Sequence, residues 1–140
     1  MEILKSLALI AALFVASTAD STAADAAGLD GTEPLICASI EVYDCGSDSD
    51  CLRGTATSID APQFIRLDFG QKIALATRSN GEERVTKIQY ITRAESKLFL
   101  QGVQNGLGWS MTIAGETGAM ALTAAGDRMA FVIFGACTPQ

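Results

Sequence analysis

The sequence predicts an all-β domain, specifically a small eight-stranded antiparallel up-and-down barrel, and three observations lead there. Apolar residues come in short runs of strand length from Ile36 onward. Turn signals separate the runs, notably Asn80-Gly81, Asn105-Gly106, Gly115-Glu116-Thr117-Gly118 and Gly126-Asp127. No stretch after the first apolar run sustains a 3.6-residue period. Eight sequential strands joined by short turns remove exposed sheet edges by closing into a barrel, and a two-sheet β-sandwich is the alternative.

The elements follow in order. Residues 1–26 read as a cleaved signal peptide: Lys5, the apolar run Leu7 to Ala16, then the small residues Ser17-Thr18-Ala19. Cleavage after Ala19, Ala24 or Ala26 fits. The run is too short to span a bilayer comfortably, so no transmembrane anchor is expected. Residues 27–35 read as a flexible segment ending at Pro34, and 36–138 as the β-barrel domain. Ile36 to Tyr43 alternates, with Ile36, Ala38, Ile40 and Val42 on one face. Gln63 to Phe69, Lys72 to Thr77, Val85 to Ile91 and Lys97 to Val103 supply the next four strands. Gly108 to Ile113 puts Trp109, Met111 and Ile113 on one face. Met120 and Leu122 mark the seventh strand. Met129 to Gly135 is almost wholly apolar and so is expected to be covered on both faces. A short helix at Thr55 to Ala61 is disfavoured by Pro62 and the β-branched residues. A barrel of eight strands, lipocalin-like in size, is filled by side chains or holds one small ligand.

Four cysteines, Cys37, Cys45, Cys51 and Cys137, imply two disulfides and an exported, periplasmic or secreted protein. In an extended strand Cys37 and Cys45 stand about 26 Å apart at ~3.3 Å per residue, too far to bridge. Cys45 and Cys51 flank a loop short enough to close on itself. Cys37 opens the first strand and Cys137 ends the last, and barrel closure makes those points neighbours. The expected pairs are therefore Cys37–Cys137 and Cys45–Cys51.

The chain has no histidine. That excludes Ser-His-Asp and Cys-His catalysis and any His-containing metal site. Removing Glu2, Lys5, Asp20 and Asp25 with the leader leaves a net charge of −4, which disfavours nucleic acid and anionic membrane surfaces. The acids Asp44, Asp48 and Asp50 around the small disulfide loop do not match a calcium loop and read as solvated. Glu82 and Glu83 sit at a hairpin tip, where no apolar pocket raises a carboxyl pKa for catalysis. No catalytic set, metal or cofactor is expected. The candidate ligand or interface residues are Trp109, the single tryptophan, with Met111 and Met120 on its face. Arg66 is the candidate cation for an anionic ligand, since an arginine facing inward can hold one; Arg78, Arg93 and Arg128 also lie on or near strand ends.

The residues Trp109, Thr117-Gly118 and Phe134-Gly135-Ala136-Cys137-Thr138, with the early cysteines and Pro62-Gln63-Phe64, resemble a family of small exported proteobacterial proteins. That resemblance covers most of residues 36–138 and implies no catalytic motif. In size, strand count and end-to-end disulfide the chain is also loosely similar to periplasmic inhibitors of c-type lysozyme. Those plug the lysozyme cleft with a Ser-Gly-rich loop; the nearest stretch here is Cys45-Gly46-Ser47. Together these features point to a non-enzymatic binding module of the bacterial envelope. Its expected partner is a protein, as a hydrolase inhibitor or complex subunit. The competing expectation is a small-molecule carrier with a cavity near Trp109, Met111 and Met120, and a cavity of a few hundred Å³ there would favour it.

Overall fold

The computed structural model describes residues 28–140, so the leader expected at residues 1–26 lies outside the described residues. The fold is all-β. In chain order it runs β1 (Leu35–Gly46), β2 (Leu52–Gly54), α1 (Ala56–Ile59), β3 (Pro62–Asp68), β4 (Ile73–Arg78), β5 (Glu83–Lys87), β6 (Tyr90–Ala94), β7 (Lys97–Gln104), β8 (Leu107–Ala114), β9 (Ala119–Ala125) and β10 (Met129–Pro139). Among the described residues all ten strands belong to one antiparallel sheet, ordered β5-β4-β3-β1-β10-β9-β8-β7-β6, with β2 paired to β1 beside that path. A single curled sheet replaces the two-sheet alternative.

The strand count differs from the expected eight for two local reasons. The run Val85 to Ile91 is not one strand. The Ile88 amide donates to the Lys72 carbonyl at 2.8 Å, whereas the next amide, Gln89, donates to Gln101 at 2.8 Å. The chain thus changes partner between adjacent residues: β5 pairs with β4, and β6 pairs with β7. The second addition is β2, three residues that follow the Cys45–Cys51 loop and pair with Val42–Asp44 of β1. The helix disfavoured from sequence forms as a single turn, α1. Thr55 caps it, accepting from the Ser58 amide while the Ser58 hydroxyl accepts from the Thr55 amide.

No ladder joins β5 to β6, so the hydrogen-bonded ring is open at that seam. Side chains bridge the gap to β7 instead. The Thr86 hydroxyl donates to the Val103 carbonyl at 3.4 Å, and the Gln104 amide donates to the Val85 carbonyl at 3.3 Å.

The first and last strands lie side by side. Cys37 and Cys137 are direct register partners and form one disulfide; Cys45 and Cys51 form the other. A β-bulge between Ser39 and Glu41 adds a residue to β1. One extra residue turns the strand over, and the expected inner face of β1 is corrected accordingly. Leu35, Cys37 and Val42 are buried, while Ile40 is 67% exposed. The outer face of β10 is also less covered than expected, because Phe134 is 45% exposed.

The segment expected to be flexible is docked from Gly28 onward. Leu29 is buried, and the Arg93 guanidinium donates to the carbonyls of Asp30 at 2.5 Å and Gly31 at 3.0 Å. Gln140 completes the contact by donating its amide to the Pro34 carbonyl. This segment closes the end of the curled sheet where the Cys37–Cys137 bridge lies. Burying a leucine there stabilises the fold by roughly 1.5–3 kcal/mol.

Candidate functional site: a cavity at the open end of the sheet

The inward residues change size along the sheet axis. Near the Cys37–Cys137 end they are Leu35, Leu67, Leu98 and Ile113, all essentially inaccessible. These large side chains interlock and leave no room. Elsewhere the inward positions on β4 and β9 carry alanine, at Ala74, which stands directly opposite Leu67, and at Ala76 and Ala124, and Ala61 sits at the entry to β3. Small side chains on facing strands leave space that larger ones would occupy. The result is a cavity of about 230 Å³.

Its walls are apolar: Ile65, Trp109, Met111, Leu122, Phe131 and Ile133. Its mouth is polar, formed by Asp60, Arg78, Arg84, Gln104 and Asn105. Two turns build that mouth. Helix α1 ends at Asp60, which takes a left-handed conformation at φ 56° and swings Ala61 and Pro62 across the opening. On the opposite side Asn105 and Gly106 both have positive φ, as the tight β7–β8 hairpin requires.

Trp109 is held from two directions. Its indole N–H donates to the Thr86 hydroxyl at 3.4 Å. Its ring lies against Gly102, where a side-chain carbon would come within 2.5 Å of the ring. Glycine at 102 therefore lets the indole cross β7 and reach β5, covering the seam from inside.

At the mouth Arg78, Arg84 and one counter-ion, Asp60, line the cavity, and the other counter-ion, Glu82, lies outside it. Arg78 pairs with Asp60 at 2.9 Å and with Glu82 at 3.7 Å, and Arg84 pairs with Glu82 at 3.0 Å. The Arg84 guanidinium beside Glu82 holds that carboxyl below its ordinary range. A depressed carboxyl pKa stabilises the fold above the ordinary glutamate value of 4.5, and the contribution is lost as pH falls through the lower folded value. The pairing is solvent-exposed, so the effect on stability is small.

The cavity brings together two of the residues singled out from sequence, Trp109 and Met111. Met120 is buried deeper, beneath Gly135, and does not line the space. Arg66 is on the outer face, opposite Leu75, because it alternates with the inward Ile65 and Leu67. The inward arginines are Arg78 and Arg84. Arg93 instead holds the docked Asp30-Gly31 segment, and Arg128 pairs with Asp48 of the small disulfide loop. Arg84, Thr86 and Leu122 were not singled out as site residues. Their signal was parity: each is an even number of residues from a buried position on its own strand or just past its end, Ile88 for the first two and Met120 for the last.

Closing the cavity is expected not to harm the fold. Replacing Ala124 with leucine places three extra carbons in the space and is expected to leave stability unchanged or raise it by about 1 kcal/mol. Thermal melting checks this, and a loss of more than about 2 kcal/mol, the cost of overpacking, would show that the space is not there.

The chain matches no protein-family model and no curated protein sequence.

Proposed function

We propose that this protein is an exported, non-enzymatic carrier of one small, largely apolar molecule. The observation behind this reading is the cavity of about 230 Å³ against Trp109 and Met111. An apolar cavity of about 150 Å³ accommodates a benzene-sized molecule, so this one suits a group of roughly nine carbons by the same scale. Apolar walls with a few polar groups at one end are the usual form of a small-ligand site. Export is supported by the leader-like composition of residues 1–26 and by two disulfides, which persist in oxidising compartments. A binding rather than catalytic role is supported by the lack of histidine. It is also supported by the lining itself, whose single carboxylate, Asp60, is spent on Arg78 at the rim.

The protein-partner reading is favoured by a different observation. Ile40, Phe64 and Phe134, on the neighbouring strands β1, β3 and β10, are all exposed, and clustered exposed apolar residues mark interaction surfaces. Native mass spectrometry of protein purified gently from its host separates the two. The carrier reading expects an added mass of roughly 100–200 Da, the size set by a nine-carbon cavity, lost on unfolding. A bound protein with no small adduct would overturn it.

A further inference from the structure

Resting on the carrier reading, we infer that the ligand is a medium-chain monocarboxylate. Its chain would lie against Trp109, Met111 and Ile133, and its head would be held at the mouth by Arg84 and Arg78.

The argument is one of charge placement. The cavity has one polar end, and both arginines line it. They are the less accessible members of their ion pairs: the Arg78 and Arg84 side chains are 21% and 38% exposed, against 67% for Asp60 and 45% for Glu82. Glu82 does not line the space at all. Asp60 is the one carboxylate in the lining, so two cationic side chains meet one anionic one there and the polar end of the cavity carries a net positive charge. The ion pairs engage only Nε of Arg84 and Nη1 of Arg78. Each guanidinium carries five N–H donors in a fork that matches a carboxylate. An alcohol or hydrocarbon in the same place would cover those donors without engaging their charge, whereas a carboxylate would engage both.

Volume sets the chain length. At roughly 25 Å³ per carbon, taken from benzene in a 150 Å³ cavity, the space ends at about nine carbons. Affinity should climb about fourfold per methylene from hexanoate to decanoate, the free energy of burying one CH₂. Beyond that length the chain can enter only by pushing the carboxylate past the arginines, so the gain should stop.

Trp109 is the only tryptophan and forms part of the wall, so its fluorescence reports occupancy. The test is a fluorescence titration of the oxidised protein with decanoate and with decanol at neutral pH, repeated on Arg84→Gln and Arg84→Lys. The expected result is decanoate binding about tenfold tighter than decanol, a gain of the size of one hydrogen bond to a charged group. Arg84→Gln should remove that gain and leave decanol within twofold, and Arg84→Lys should keep part of it. Equal binding of decanoate and decanol would overturn the monocarboxylate inference and leave the carrier reading standing. An equal loss of both ligands in Arg84→Gln would overturn it too, since the arginine would then only shape the mouth. If neither ligand binds, the carrier reading fails and the inference with it.

Discussion

Replacing Cys37 and Cys137 together with alanine is expected to cost about 4.7 kcal/mol of folding stability and to lower the melting temperature by roughly 20 °C or more. The bridge spans a sequence separation of 100 residues, and the loop it removes from the unfolded ensemble is correspondingly large. Cys45–Cys51 spans only 6 residues, so its removal should cost about 2 kcal/mol by the same relation. Location sharpens the contrast. Cys37 is fully buried, whereas Cys51 is exposed. Thermal melts of the two double-alanine variants, followed by circular dichroism, test the ranking. Equal losses, or a larger loss for the small loop, would show that the long bridge does not constrain the chain as argued.

Gly135→Ala should be among the most damaging single-methyl additions, costing about 3 kcal/mol, the upper end for overpacking. Gly135 stands opposite Ser39, where the β1 bulge begins. The bulge carries the Ala38 carbonyl over Gly135, and a side-chain carbon built there would overlap that oxygen and crowd Met120. The obstacle is backbone of the central strand, which cannot rotate away as a side-chain tip can. Gly108 provides the comparison. It also lies in a strand, yet a side-chain carbon there meets nothing within 4 Å, so Gly108→Ala should be close to neutral. Urea unfolding of both variants gives the difference, and a Gly135→Ala loss below about 0.5 kcal/mol, the range of ordinary surface changes, would contradict the close approach at the bulge.

Much of the fold was legible because it rests on local rules. Asn105-Gly106 demands a tight hairpin, Trp109, Met111 and Ile113 alternate cleanly, and the disulfide pairing followed from strand reach. What was missed rests on choices between neighbours. Val85, Ile88 and Ile91 are spaced by three, a spacing that no single strand puts on one face. That mismatch marks the partner switch at Ile88, although an apolar run alone reads as one strand. The face of β1 was misread because a bulge leaves no signature in side-chain type; Ile40 is as apolar as its neighbours.

The cavity was hidden for a related reason. In Ile73-Ala74-Leu75-Ala76 the larger residues look like the core face. It is the alanines that turn inward, while Leu75 lies opposite Arg66 on the outer surface. Hydrophobicity ranks those residues in one order and the space inside the sheet in the other. Arg84 followed from the same inversion, since it alternates with Val85, which is exposed.

The change of partner between Ile88 and Gln89 divides the chain into two separately encoded halves. Every strand before that bond lies on one side of the β1–β10 pairing, and every strand after it lies on the other. Each half is a contiguous run of nearest-neighbour hairpins apart from the small β2 excursion. The halves meet at two borders of different character: a full ladder with a covalent bridge where β1 meets β10, and a bare peptide link with side-chain contacts where the chain is continuous. A nick at Ile88–Gln89 would therefore release neither half, because Cys37 belongs to the first and Cys137 to the second. The order of the two pieces in the gene is not imposed by the sheet. Joining residue 28, which lies beside Pro139, to residue 140 and opening the molecule at residue 88 would leave every strand pair in place.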